Sequence, residues 1–342
     1  MAGSGCGLET MQKVQVPETV ELVCAIDENY AMPLATMVRS VLENLNPTWQ
    51  LRVHVITTNL KASTQTRLRS SWPQERLSVH FMNVDPESLD GLKVSRHISV
   101  AAYLRLRAST LLPADLSKVI YLDADLIVES DLSVLWCWEM SGHPLLAVRD
   151  MLFPCMDTAV ALPEAKYLGT IAALPTYRRL GLVPDEKYFN SGVMVIDLVR
   201  WREERAEDRL FQYLREAGQQ VNFWDQDALN AIFARRWLEL PPEWNYQLWS
   251  ADRYPEGATS LFSKQEFEQA RLAPRVIHFV GHLKPWLIES PPKLCHPRFF
   301  HYLDQTLWRG YRPWLDPRQV LQATTAKLKS GARRLLRFVR GW

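Results

Sequence analysis

Cysteine pairs, phosphate-cradling glycine loops and long apolar runs are all missing from this chain of 342 residues. The five cysteines, Cys6, Cys24, Cys137, Cys155 and Cys295, are scattered without a CxxC pair. That pattern encodes no disulfide framework, and an odd set of thiols suits a reducing cytoplasm. There is no GxxxxGK[ST], and the first strand-like run ends in Asp-Glu-Asn-Tyr rather than a GxGxxG turn, which excludes a P-loop and a dinucleotide fingerprint. Any phosphate bound here must be held by a metal ion or a lysine instead. No segment reaches the roughly 18 consecutive apolar residues of a membrane span. The opening MAGSGCGLETMQKVQVPETV has no basic region and no apolar core, so residues 1 to 19 read as a flexible polar tail rather than a signal peptide. Its GSGC lacks the hydrophobic stretch that must precede a lipid-attachment box. A formal charge of +2 argues against a nucleic-acid binder.

What is present is an ordinary globular composition, 47% hydrophobic and 23% charged, enough for a large core. VELVCAI (20 to 26), LRVHVIT (51 to 57) and LSVHFMNV (77 to 84) read as short apolar strands. Between them, Leu34, Met37, Val38, Val41 and Leu42 recur at helical spacing after Pro33, and a polar helix-compatible stretch follows residue 58. This alternation predicts an α/β protein with a parallel sheet covered on both faces. Further along, 96 to 113 predicts a helix, 118 to 128 a strand, 188 to 198 a strand, 202 to 218 a charged amphipathic helix closed by Gly218, 224 to 237 a second helix, and 275 to 281 a last strand. Residues 150 to 188 carry Pro154, Pro163, Pro175 and Pro184 and read as an excursion from the sheet that folds over a ligand.

Two Asp-x-Asp pairs stand out, although about one per chain of this size is expected by chance. Asp123 and Asp125 close the strand KVIYLDADLIV, where a period of two places both carboxylates on one face. At the carboxyl edge of an open α/β sheet, such a pair suits a hard divalent cation; a turn with a helix-capping aspartate is the other reading. Asp225 and Asp227 open a helix, where a cap and a first-turn carboxylate are equally consistent. HFVGHLKPW (278 to 286) places an imidazole, a glycine and a lysine directly after a strand: His278 suits Mn²⁺ beside two carboxylates, Gly281 allows close backbone approach, and Lys284 suits a diphosphate.

In this order, AIDENY, RHISVAAYLRL, YLDADLIV, YFNSGVMVIDL, WDQDALN and HFVGHLKPW resemble glycosyltransferase family 8, with closest likeness to the bacterial lipopolysaccharide α-galactosyltransferases and α-glucosyltransferases. The resemblance covers about residues 20 to 286. It implies an A-type glycosyltransferase fold, a Rossmann-like, mostly parallel sheet, and retaining transfer of galactose or glucose from a UDP-sugar to a glycan acceptor with Mn²⁺, or Mg²⁺, as cofactor. By the same resemblance, Ala25, Asp27, Asn29, Tyr30 and Ala124 form the nucleotide pocket, with Gly281 and Lys284 at the diphosphate. Asp123, Asp125 and His278 are the implied metal ligands, and Arg105, Asn190, Asp225 and Gln226 surround the donor sugar, the last two as catalytic candidates. Departures fall at Ala101 and Ala102, where threonines are frequent, and at Leu283, where smaller or polar residues are frequent. These bear on sugar identity more than on reaction type. The implied acceptor is a lipopolysaccharide core or glycolipid; self-glucosylation of the glycogenin kind and a non-catalytic membrane-binding protein are the competing readings.

The C-terminal segment (287 to 342) begins with an aromatic stretch, 296 to 315, that suits either a membrane interface or a core helix. Between Lys327 and Trp342, six basic residues and no acidic ones accompany Leu328, Leu335, Leu336, Val339 and Trp342. At 100° per residue the basic and apolar side chains fall on opposite sides, predicting a basic amphipathic helix that attaches the protein peripherally to the anionic inner face of the cell membrane. A chain ending near Gln322 is therefore expected to lose cosedimentation with anionic liposomes; cosedimentation equal to the full chain would rule this attachment out.

Overall fold

The computed structural model describes residues 18–93, 100–248, 262–288, 296–318 and 320–321. Residues 1 to 17 of the expected flexible tail and the basic amphipathic helix expected at the other terminus lie outside the described residues, while Thr19, expected in the tail, already belongs to the first strand.

Ten strands are described: β1 (Thr19–Ile26), β2 (Gln50–Thr57), β3 (Leu77–Asn83), β4 (Lys118–Leu122), β5 (Leu126–Val128), β6 (Leu145–Arg149), β7 (Phe189–Asp197), β8 (Leu238–Glu239), β9 (Tyr246–Gln247) and β10 (Val276–His278). Seven form one sheet in the order β3-β2-β1-β4-β7-β6-β8. The pairs β2/β3, β1/β2, β1/β4 and β6/β8 are parallel, whereas β7 runs antiparallel to both β4 and β6. The sheet is mixed and mostly parallel, as the run of alternating strands and helices predicts for its first half. The reversed β7 has a functional consequence. It brings its amino end to the edge where β1, β4 and β6 present their carboxyl ends, which is where ligands bind in open α/β sheets.

Side-chain alternation along the strands feeds two cores, one on each face. Leu22 and Cys24 of β1 pack with Leu34, Met37, Val38 and Val41 of α1 (Ala31–Asn44). Val23 of β1 and Tyr121 of β4 lie on the opposite face, against Trp201 of the helix Leu198–Glu203, Leu210 of Ala206–Ala217 and Phe233 of Trp224–Phe233.

Several predicted elements are divided. The strand expected over 118 to 128 breaks into β4 and β5, with Asp123, Ala124 and Asp125 in the turn between them. The two carboxylates therefore share a turn rather than one face of a strand. The helix expected over 96 to 113 is instead a 3-10 helix, Val100–Arg107, followed by one α-turn, Ala108–Leu111, ahead of Pro113. Residues 96 to 99 lie outside the described residues. The helix expected over 202 to 218 is two helices, because Arg205 takes a left-handed φ of 51° between them. The excursion after Asp150 has a short helix, Thr158–Ala161, and is pinned by β-bridges Cys155 to Lys187 and Asp157 to Ala172.

A second sheet, β5-β10-β9, sets His278 of β10 opposite Leu126, the residue after Asp125. That register brings together groups 153 positions apart in sequence. Behind this sheet lies the aromatic stretch that the sequence left open between membrane interface and core. Phe299, Tyr302 and Leu303 of the helix Pro297–Leu303 are fully buried against Ile127, Ile277, Phe279 and Trp286. Asn44 at the end of α1 donates to Tyr302 Oη at 2.9 Å. Packing on the domain is thus the role of this helix. Phe299→Ala is expected to cost about 3–5 kcal/mol in urea unfolding, the usual penalty for emptying a filled aromatic site.

Candidate active site

A cavity of about 1670 Å³ opens at the ligand-binding edge of the large sheet. All the residues to which the resemblance gives a nucleotide, metal or donor-sugar role line it, as do Ala101 and Ala102; Leu283 does not. Arg105 pairs with Asp123 and Asp225, Lys284 pairs with Asp125, and Asp150 lines the same cavity, a carboxylate-rich setting that suits a divalent cation.

Ligand oxygens of Asp123 and Asp125 and a ring nitrogen of His278 lie within 4.8 Å of one another. His278 Nε2 stands 3.3 Å from Asp125 Oδ1 and 3.8 Å from Asp123 Oδ2. The other ring nitrogen, Nδ1, meets Asn245 Oδ1 at 2.9 Å. Gly192 is needed beside it: a Cβ there would fall 2.2 Å from His278 Cε1. One nitrogen and two carboxylates, converging in a buried pocket with the second nitrogen already engaged, fit a borderline divalent ion such as Mn²⁺.

The two aspartates are held differently. Asp123 Oδ1 accepts from Tyr121 Oη at 2.7 Å and pairs with Arg105 Nη2 at 2.8 Å, which leaves Oδ2 toward His278. Asp125 Oδ2 pairs with the buried Lys284, whose ammonium also donates to the Phe279 carbonyl at 2.7 Å. Burial opposes ionisation of Asp125, but the Lys284 ammonium outweighs it and holds the carboxyl well below its ordinary range. Burial likewise opposes the Lys284 charge, and Asp125 reverses the effect, so its pKa rises.

On the far side of Arg105 lies the second Asp-x-Asp pair. Asp225 is no helix cap; it is buried and ion-paired to Arg105 Nε at 3.0 Å. Burial, reinforced by Asp123 and opposed by Arg105, pushes its pKa up to about 6. Trp224, just before it, has a left-handed φ of 49°, a strained start to the helix that turns Asp225 and Gln226 into the cavity. Gln226 is clamped: Oε1 accepts from Ser191 N at 3.0 Å, and Nε2 donates to Asp150 Oδ2 at 3.2 Å. Asp227 is structural, its carboxylate accepting from Tyr188 Oη at 2.6 Å and from Asn222 N at 2.6 Å.

At the opposite end, Asp27 caps the 3-10 turn Glu28–Tyr30 by accepting from Asn29 N at 2.9 Å, and Tyr30 meets Trp286 edge to face at 6.1 Å. The sequence reading missed three residues of this site. Asp150 follows β6 directly, and an acidic residue at a strand's carboxyl end is the same signal that marks Asp123. Ser191 and Asn245 carry no signal that a single sequence displays.

A mixed α/β sheet with an Asp, Asp, His cluster at its ligand-binding edge defines the A-type glycosyltransferase architecture. The chain belongs to Glycosyl transferase family 8, whose profile matches residues 21–289. It is similar to General stress protein A of Bacillus subtilis, 29% identical over 297 residues that span 85% of this chain and 95% of that protein. It is also similar to a lipopolysaccharide 1,2-glucosyltransferase of Escherichia coli, 24% identical over 277 residues, 81% of this chain and 75% of that one. Among solved structures, the galactosyltransferase LgtC in complex with donor and acceptor sugar analogs superposes with a TM-score of 0.68 at 24% identity, covering 85% of this chain and 100% of that one, a likeness of fold.

The buried Asp225 gives the metal-free protein a recognisable pH dependence. Its folded pKa, about 6, lies above that of an unfolded aspartate, so the charged form is the less stable one in the fold. Stability is then lost as pH rises from about 4 to about 6. Relative to Asp225→Asn, wild type is expected to lose roughly 2–3 kcal/mol across that window, read from urea midpoints in EDTA.

Proposed function

We propose that this glycosyltransferase is a retaining enzyme that moves a hexose, galactose or glucose, from a UDP-sugar to a saccharide acceptor, a lipopolysaccharide core or similar glycolipid. The observation that carries the reading is the Asp123, Asp125, His278 cluster at the inner end of a cavity whose other walls hold Asp27, Tyr30, Lys284, Asp225 and Gln226. The similarity to a lipopolysaccharide glucosyltransferase supports the acceptor class.

Asp123, Asp125 and His278 would hold the Mn²⁺ or Mg²⁺, which supplies Lewis-acid stabilisation of the departing diphosphate. Lys284, buried and charged, offers a preorganised ammonium to the same leaving group. Asp27, Asn29 and Tyr30, with Ala25 and Ala124, form the nucleoside end, and Gly281, at a φ of 80°, lets the backbone approach the diphosphate without a side chain. Arg105, Asn190, Asp225 and Gln226 would orient the sugar.

Retention is achieved in principle by a covalent intermediate or by attack on the face the leaving group vacates. The site favours the second route. The amide of Gln226 is a poor nucleophile, and its oxygen is already engaged by Ser191 N. The carboxylate of Asp225 is tied to Arg105 at 3.0 Å, which lowers its nucleophilicity. The acceptor hydroxyl proton then passes to the departing phosphate oxygen. Peripheral attachment to an anionic membrane, where such an acceptor is met, rests on the sequence of residues 327 to 342 alone.

The test is UDP release with Mn²⁺, comparing UDP-galactose and UDP-glucose. Turnover is expected with one of them, abolished by EDTA and reduced at least ~100-fold in Asp125→Ala, the usual scale for loss of a key electrostatic group. Unchanged UDP binding in Asp125→Ala would sink the metal-assisted reading. Gln226→Ala retaining most of the turnover would exclude covalent catalysis by that residue.

A further inference from the structure

We infer that Asn245 is a positioning residue of the metal site: it fixes the His278 tautomer that leaves Nε2 bare toward Asp123 and Asp125. The inference rests on the metal-assisted reading above and adds to it a residue in none of the motifs that define the site.

The assignment follows from hydrogen-bond polarity. The Gly192 N–H donates to the side chain of Asn190 at 3.0 Å, and a backbone N–H can only donate, so the atom it meets is the amide oxygen. Asn190 Nδ2 therefore faces Asp150 Oδ2, an acceptor, at 3.1 Å. Asn245 approaches the same Asn190 oxygen at 2.9 Å and must present its Nδ2. Its Oδ1 is then what meets His278 Nδ1 at 2.9 Å, and an amide oxygen only accepts. Nδ1 consequently carries a hydrogen, so Nε2, 3.3 and 3.8 Å from the carboxylates, is the ring nitrogen free to supply its lone pair to a metal.

A neutral ring protonated on Nε2 alone does not satisfy the chain, whereas a doubly protonated ring keeps the same Nδ1–H donation to Asn245. The reverse tautomer sets two acceptors face to face at Asn245, a side chain that is 0% exposed and beyond the reach of solvent repair. The ring lies close against the backbone at Gly192, where a Cβ would fall 2.2 Å from His278 Cε1. The direction of every bond is imposed by the Gly192 N–H at one point and the Asp150 carboxylate at another. Asp150 Oδ2 also accepts from Gln226 Nε2, so this polarity chain, which starts at a metal ligand, ends at the amide proposed to face the donor sugar.

Mn²⁺ titrated calorimetrically into the full chain without donor tests the inference. Asn245→Ala is expected to weaken Mn²⁺ binding about 10- to 100-fold, the range found when a partner that orients a metal-bound histidine is removed. Asn245→Asp keeps an acceptor opposite Nδ1 while losing the bond to Asn190, so its affinity is expected to stay within about threefold of wild type. Its melting temperature in EDTA is nonetheless expected to fall. Wild-type affinity in Asn245→Ala overturns the inference, as does equal weakening in both variants, the pattern of a purely structural residue. A wild-type chain that binds no Mn²⁺ overturns the metal reading itself, and is recognised before any substitution is made. Should Asn245→Ala not fold, ¹⁵N shifts of His278 in the metal-free wild type at about pH 8, where a histidine is ordinarily neutral, decide. A hydrogen on Nδ1 is expected; a ring protonated on Nε2 alone overturns the inference.

Discussion

The buried guanidinium of Arg105 is the interaction on which the rest of the site depends. Its Nη2 holds Asp123 at 2.8 Å and its Nε holds Asp225 at 3.0 Å, while Nη1 donates to the Ser191 carbonyl at 3.0 Å. The face of the group lies over the Tyr121 ring at 4.6 Å. Only a planar, delocalised cation with donors in a fixed fork meets three partners in three directions and stacks at the same time; a lysine ammonium cannot. Removing it would leave the buried Asp225 and the half-buried Asp123 uncompensated, which is far costlier than never having built the pairs. By occupying Oδ1 of Asp123 together with Tyr121, Arg105 also decides that Oδ2 is the oxygen left toward His278.

The fold and the site were unequally legible in the sequence. Strand identity was clear where a run was mostly apolar, as in β1 and β2 despite Glu21, Arg52 and His54, because burial on both faces demands it. The break at Asp123 and Asp125 was not. Apolar residues on both sides made 118 to 128 look continuous, and only pairing of β4 with β7 and of β5 with β10 separates the halves. Arg205 likewise carries nothing that announces its left-handed φ, since arginine is ordinary in helices.

Site residues were legible when their chemistry was unusual for their local setting. Carboxylates at strand ends and a lysine beside a glycine after a strand attract notice in any single sequence. Asn245 and Ser191 do not, because what they supply is the direction of a hydrogen bond. That quantity exists only once β7, β9 and β10 have brought Asn190, Asn245 and His278 together. The antiparallel placement of β7 matters most here. It carries Asn190, Ser191 and Gly192 to the ligand edge, so one short segment lies against His278 and bonds the arginine and the clamped amide.

The family match ends at residue 289, but the cavity does not. Trp308, Tyr311 and Arg318 line it as well, and they belong to the segment that follows the buried Pro297–Leu303 helix. That segment is fastened to the nucleotide-side elements: Arg67 stacks on Trp308 at 4.0 Å and donates to the Leu307 carbonyl at 2.8 Å, and Tyr311 Oη donates to the Trp286 carbonyl at 3.2 Å. Its anchors are thus Arg67 of the helix Ala62–Arg69 and the stretch around Trp286, not the metal cluster. Substitutions in residues 307 to 318 can reshape one wall of the cavity while the polar network around Arg105 stays intact. The chemistry and the outer boundary of the site are therefore physically separable in this fold, the first fixed by buried hydrogen-bond polarity and the second by the packing of a segment beyond residue 289.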